Sequence, residues 1–420
     1  MKKTLLLLLS GTFLLLGADS CKKELFDSAA YNEFVDYQFM IDNLDREHDW
    51  QLVKSATLFV KAPGNVYNVQ VLTEDPNKSA RSEIAANAVC YSNEAELSYT
   101  IPITQQQLYL AALNQNGQYI GVVPFNYGEK EVDLNNVTMQ NTGFIALPTP
   151  QTFTYLYEAN FPEPGDFDYN DVVLRINKSY TDASNQVLLT VTLEAVGTQK
   201  QVAAAIHLGG FSYEDVLSVE ITDGEQMDIN FPMPRNMLGS GDVLLRGRNG
   251  EAVIGLFEDG HWAMTKNKES DGSIMRKILN TTRNETEYYS SIVPTVTKTY
   301  CINFKSRELA RQLTFENIDP FILEEYNGGI WEVHTYSYKF NDVLKNIFRG
   351  NASAYDNHVS WCVVVPKNDF RYPVEGMSLG TYSKETGGLF GPYDGFVYWM
   401  QDHNSNTDWY LKPTRAQLLY

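Results

Sequence analysis

Residues 161–174 read FPEPGDFDYNDVVL. Asp166, Asp168, Asn170 and Asp171 place four oxygen-bearing side chains within six residues. An apolar run, Val172-Val173-Leu174-Arg175-Ile176, follows at once. β-branched residues fit a pleated, half-buried surface, so the acids sit at the mouth of a strand. Alternate acidic positions of this kind suit a hard cation held by oxygen ligands. Glu158 lies just upstream and is able to reach the same loop.

An EF-hand opens with acids at similar positions, but the comparison then fails. Asp171 stands sixth, where an EF-hand needs Gly, and Asn177 stands twelfth, where it needs a bidentate Glu. The following residues also read as strand rather than helix. Two readings of the loop remain. In one, Asp166, Asp168, Asn170, Asp171 and Glu158 hold calcium, with magnesium as a variant. In the other, Asp and Asn bond to nearby backbone and fix a turn stiffened by Pro162, Pro164 and Gly165. Repulsion between unpaired acids favours the cation.

Outward from this loop the chain reads as β structure. Its 420 residues exceed one ordinary core, so two domains are expected. Aromatic content is 13%, with 26 Tyr and 21 Phe, types that favour strands. Strand-like runs at 56–61, 66–72, 95–101 and 107–112 are separated by Gly, Pro, Asn and Asp. Within 68–72, Val69 and Val71 should face a core while Asn68 and Gln70 face out. Leu147-Pro-Thr-Pro150 marks a border. Further runs follow at 186–195, 201–207, 218–221, 253–257, 297–304 and 361–365, with one helix expected at 396–401. The expected fold is all-β for the most part, with two β-sandwich domains, the larger carrying minor helical insertions. Residues 49–146 form the N-terminal sandwich and 147–420 the larger β domain.

The N-terminus carries an address. Lys2 and Lys3 precede apolar runs at 5–9 and 13–16, which are too short to count as a membrane span. Gly17-Ala18-Asp19-Ser20-Cys21 ends the segment, and a small residue before a cysteine resembles a bacterial lipoprotein signal. Residues 1–20 are then a signal peptide and Cys21 the lipidated first residue of the mature chain. Residues 21–48 form an acidic spacer, with a short helix around 31–44. Cys90, Cys301 and Cys362 are too few for a disulfide scaffold. Cys301 and Cys362 read as buried thiols, or alternatively as one bridge. The net charge of −19 argues against nucleic acid as a partner.

Tyr157-Glu158 followed by Gly165-Asp-x-Asp-Tyr-Asn-Asp171 resembles the signature of LruC-type domains of exported bacterial proteins. Ala159 departs from it, since a second acid is usual there. Ile318–Ile322, Trp331–His334, Trp361–Val365, Tyr372-Pro373, Glu375-Gly376 and Asp408-Trp409-Tyr410 resemble later parts of that domain. The resemblance implies a surface or periplasmic lipoprotein with a β domain ahead of this one, and it carries no defined activity.

The sequence contains no His-Glu-x-x-His, Cys-x-x-Cys or Walker loop. The six histidines are widely spaced, which suits packed or surface roles. Trp399, Trp409 and Tyr410 sit beside amides and acids, so they read either as core or as a sugar platform. The expected function is that of a lipid-anchored protein of the outer membrane or cell surface, serving adhesion, assembly or structure without catalysis. Its partners are the membrane, through the lipid, and envelope proteins or glycans. A calcium-dependent glycan-binding module and an exported carboxylate hydrolase are the alternatives.

Overall fold

The computed structural model of the chain describes residues 44–45, 47–161, 165–181, 183–224, 237–239, 241–286, 289–326, 328–339, 341–345, 359–382 and 387–420. The signal segment, Cys21, most of the spacer with its expected helix, and Pro162 and Pro164 lie outside the described residues.

The first sandwich uses β1 (Val53–Lys61), β2 (Asn68–Leu72), β3 (Glu83–Val89), β4 (Glu94–Pro102), β5 (Gln107–Leu113), β6 (Tyr119–Asn126), β7 (Glu131–Asp133) and β8 (Thr149–Pro150). Three strands in the order β4-β1-β7 face five in the order β6-β5-β2-β3-β8. Leu58, Val60, Leu97 and Tyr99 of the small sheet meet Val69, Val71, Leu108 and Leu110 of the larger one. The period-2 geometry of a strand holds in β2, where Val69 and Val71 are fully buried and Asn68 and Gln70 are not.

The second sandwich is larger. Its strands are β9 (Thr152–Tyr157), β10 (Val172–Tyr180), β11 (Gln186–Ala195), β12 (Val202–Ser212), β13 (Val216–Asp223), β14 (Leu244–Arg246) and β15 (Glu251–Phe257). After a short parallel pair, β16 (Ile278–Leu279) and β17 (Ser290–Ser291), come β18 (Val296–Phe304), β19 (Ile318–Tyr326), β20 (Gly329–Val333) and β21 (Cys362–Val365). Six strands in the order β13-β18-β11-β10-β9-β21 face five in the order β14-β15-β12-β19-β20. β11 alternates strictly, with Val187, Leu189, Val191 and Leu193 buried. β9 and most of β12 are buried on both faces. The second face of β12 is covered by Met237, Leu238 and Val343.

Three α-helices are present among the described residues: α1 (Gly260–Thr265), α2 (Arg307–Gln312) and α3 (Asp394–Gln401). α3 contains the expected 396–401 and starts two residues earlier; Phe396, Val397, Trp399 and Met400 are buried. Trp399, Trp409 and Tyr410 are at most 2% exposed. The sugar-platform reading of these rings is therefore corrected: they are core. Burying their area outweighs what surface display would leave in water.

Both expected domain borders are crossed by contacts. Thr149 and Pro150 pair with β3 of the first sandwich, while Trp50 and Leu52 belong to the core of the second. The end of the spacer docks there too. The Asp45 carboxylate accepts from the His403 N–H at 3.0 Å. His48 Nδ1 accepts from the Trp50 N–H at 2.9 Å, so its Nε2 carries the proton and donates to the Trp399 carbonyl at 3.0 Å.

Cys301 and Cys362 are free buried thiols. They lie on β18 and β21, four strand spacings apart in one sheet, or roughly 19 Å. That separation forbids a bridge.

Because Trp409 packs against Phe396 and Trp399 in the core, Trp409→Ala should destabilise the chain by about 3–5 kcal/mol. Urea unfolding measures this as a lower midpoint with the slope retained.

Candidate metal centre

β9 and β10 are antiparallel neighbours, with Val172 opposite Tyr157. This register brings the ends of the intervening connection together and sets Glu158 against the acidic loop. The Glu158 N–H donates to the Trp361 carbonyl at 2.9 Å, which continues the pairing of β9 with β21.

The loop has an alternating backbone. Phe167 and Tyr169 adopt left-handed conformations, with φ of 58° and 53°. For bulky aromatic residues this costs roughly 1–3 kcal/mol each. Their surroundings compensate, since both rings are buried. The Leu379 N–H donates to the Phe167 carbonyl at 2.9 Å, and the Tyr169 hydroxyl donates to the Ser360 carbonyl at 2.7 Å. With the aromatics turned inward, Asp166 and Asp168 converge with Glu158. One carboxylate oxygen from each lies within 4.8 Å of the other two.

Glu158 is fully buried, Asp168 is 2% exposed, and Asp166 opens to solvent. Glu158 Oε1 accepts from the Tyr169 N–H at 2.7 Å. Its Oε2 has no hydrogen-bond donor among the described residues. A Cβ at Gly165 would fall 1.9 Å from that Oε2, so a larger residue there would push the Glu158 carboxylate aside. Asp168 accepts from the Asn170 N–H at 3.1 Å and from the Gly376 N–H at 2.7 Å. Burial, reinforced by repulsion from neighbouring carboxylates, pushes Glu158 and Asp168 well above the usual carboxylate range.

The triplet fits a hard divalent cation. Oxygens 2.3–2.6 Å from one calcium ion lie up to about 5 Å apart, and these three do. The donors are all carboxylate oxygen, whereas zinc sites draw mainly on His and Cys. Among the described residues no Lys, Arg or His forms an ion pair with the three acids. Lys200, the nearby cation, instead binds Asn160 Oδ1 at 3.1 Å and Glu324 Oε2 at 3.0 Å.

Asn170 and Asp171 fall outside this triplet. Asn170 Nδ2 donates to the Pro373 carbonyl at 3.2 Å, and a Cβ on Gly197 would lie 2.2 Å from its Oδ1. Asp171 Oδ2 accepts from the Ala159 N–H at 2.7 Å. Both fix the loop to its neighbours. Glu375 joins the neighbourhood unannounced. With Asp166, Asp171, Gly165 and Lys200 it lines an open cleft of about 730 Å³. The Thr281 hydroxyl donates to its Oε2 at 2.7 Å, and burial, with repulsion from Asp171 and Asp166, pushes its carboxyl up to about 7. Its spacing to the loop is over two hundred residues, so only the matching Glu375-Gly376 dipeptide pointed to it.

Gly376-Met-Ser-Leu-Gly380 has the Gly-x-Ser-x-Gly spacing of a nucleophile elbow, but not its setting. An elbow needs a strand-to-helix turn that exposes the serine. Here Ser378 is buried outside any strand or helix, and its hydroxyl donates to the Gly380 carbonyl at 3.3 Å.

A second buried cluster lies on the far face of β12. Asp319 Oδ2 accepts from His334 Nδ1 at 2.7 Å and from His207 Nδ1 at 3.3 Å. The other ring nitrogens face Glu332 at 3.0 Å and Glu251 at 2.6 Å. Glu332 also accepts from the N–H groups of Val343, Leu344 and Lys345. Burial alone would lower His334, but Asp319 and Glu332 outweigh it and raise the ring to about 9.

Residues 184–410 match the family described as Domain of unknown function (DUF4842). That is more than half of the chain. The chain belongs to this family. The DUF4842 match begins after the acidic loop, so Glu158, Asp166 and Asp168 precede it while Glu375 lies inside it. Among solved structures, a Bacteroides ovatus protein classed as a lipoprotein aligns with a TM-score of 0.51 at 17% identity, over 85% of this chain and 99% of that one. At this identity the likeness is one of fold. No curated protein matches the chain.

His334 carries a prediction for pH. Its folded value, about 9, lies above the ordinary 6.5. Its stabilising contribution is therefore complete below about pH 6.5 and is lost as the pH rises through about 9. Denaturant midpoints measured from pH 7 to pH 10 should fall in the wild type, and His334→Gln should flatten that fall. A flat wild-type profile would contradict the paired, charged imidazole.

Proposed function

We propose that this chain is a lipid-anchored envelope protein of the LruC-type group, serving surface adhesion or assembly without catalysis. In this reading its larger domain is held rigid by calcium at Glu158, Asp166 and Asp168. The observation that carries the calcium part is Glu158 Oε2, a buried oxygen with no donor of its own among the described residues, on a carboxylate that converges with two further acids. Leaving ionised carboxylates buried and unpaired costs several kcal/mol per group. Bound calcium supplies the missing positive charge. Asp168, by its bond to the Gly376 N–H, then ties the β9–β10 connection to the C-terminal segment.

The tether rests on the sequence of residues 1–21, where a charged start, an apolar run and Ser20-Cys21 follow in order. The fold likeness to a protein classed as a lipoprotein supports it. Lipid on Cys21 would hold the chain at the outer membrane or cell surface while both sandwiches stay in water.

Thermal unfolding of the signal-free Cys21→Ser chain tests the calcium part. Free calcium at about 100 times Kd should stabilise the native state by about 2.7 kcal/mol, read as a raised Tm. Asp168→Asn should still melt cooperatively but lose the calcium response. A wild type indifferent to calcium and to chelator would remove the metal and leave a turn. In cells, the unsubstituted chain should fractionate with membranes and Cys21→Ser with the soluble fraction; equal partition of the two would sink the tether.

A further inference from the structure

The outer face of the first sandwich carries a row of amides. Asn68 and Gln70 of β2 point away from the core, and Gln70 lies opposite Asn87 of β3. Gln70 Nε2 donates to Asn87 Oδ1 at 3.2 Å, and the Tyr119 hydroxyl donates to Gln70 Oε1 at 2.7 Å. Ser179 and Tyr180, at the C-terminal end of β10, form the facing wall. Between the walls lies a cleft of about 280 Å³, just below the roughly 300–1,000 Å³ common for ligand sites. Tyr67, 46% exposed, stands at its rim.

The cleft holds little charge for a chain of net charge −19. No Asp or Glu lines it, and its charged lining residue, Lys178, is buried. Lys178 Nζ donates to the Leu313 carbonyl at 2.6 Å and sits 5.4 Å from the centre of the Tyr180 ring and 6.0 Å from that of Phe315. A charged ligand group would be desolvated here without a partner. Amides, by contrast, offer both donors and acceptors. Asn68 Oδ1 has no donor among the described residues. Tyrosine rings add flat apolar area with a polar tip.

Paired donors and acceptors, flat rings and the absence of any acid are the recognition chemistry of a neutral polyhydroxylated ring. We propose that this cleft binds a short neutral saccharide. A peptide fits less well. Strand addition needs a free sheet edge; the amide-bearing β2 lies between β5 and β3 and has none, while β8 covers β3 only at Glu83 and Ile84, so a strand added beyond Ile84 is the competing outcome. The cleft is also separate from the acidic loop. It meets β10 at its C-terminal end while the loop precedes its N-terminal end, roughly 25–30 Å away along the strand. Saccharide binding therefore does not depend on calcium.

Calorimetric titration of the signal-free Cys21→Ser chain tests this. The probes are neutral hexoses, N-acetylhexosamines and their disaccharides, with glucuronate, glucosamine and triglycine as controls. At least one neutral sugar should bind, in chelator as well as in calcium, and more tightly than its charged counterparts. Tyr67→Ala and Asn87→Leu should each weaken binding about tenfold with the melting temperature of Tyr67→Ala unchanged. The proposal is overturned by no binding of any neutral sugar, by tighter binding of the charged controls or of triglycine, or by binding that both variants leave intact.

Discussion

Three carboxylates, two of them buried, converge at the junction of β9 and β10, and like charges so placed repel unless a cation joins them. The strand register imposes this: once Val172 faces Tyr157, Glu158 faces the loop. The loop then accepts two left-handed aromatic residues, a conformation that persists only where surrounding contacts over-determine it. Those contacts come from far away in sequence, from Ser360, Gly376 and Leu379. The C-terminal third of the chain thus closes around the loop. Gly165 and Gly197 are small because carboxylate and amide oxygens occupy the space a Cβ would take.

The second sandwich handles polar groups differently on its far side. β12 is buried on both faces, so the face turned away from the main core must also be covered. His207 and His334 share Asp319 there, and Glu332 receives three backbone N–H groups of the covering segment. Every charged group in this cluster has a partner, which is the condition under which a buried ionic network is tolerated. The contrast with Glu158 is informative: one chain satisfies one buried acidic cluster with its own histidines and leaves another with an orphaned oxygen.

Much of the β architecture is legible in the sequence because half-buried strands alternate. β2 and β11 have the period-2 pattern, and their facing is as the pattern requires. β9 is harder, since a strand buried on both faces loses alternation. β3, with the sequence EIAANAV, has no aromatic residue and is rich in alanine, which weakens its strand signal. At the candidate centre, the local members Glu158, Asp166 and Asp168 are readable from spacing. The separation of Asn170 and Asp171 from them is not, because it depends on left-handed residues that the sequence does not flag as glycine. Glu375 and the His207–Asp319–His334 cluster are assembled by topology, which no local spacing encodes. Likewise the docking of Asp45 and His48 onto α3 is a contact across some 350 residues.

The claim on which the rest depends is that a divalent cation completes the site at Glu158. Native mass spectrometry with elemental analysis of the purified chain, after dialysis against trace calcium, tests it most directly. The expected result is one calcium per chain in the wild type and none in Glu158→Gln, with both proteins folded. A folded wild type carrying no divalent metal, and taking up none when calcium is restored, would contradict it.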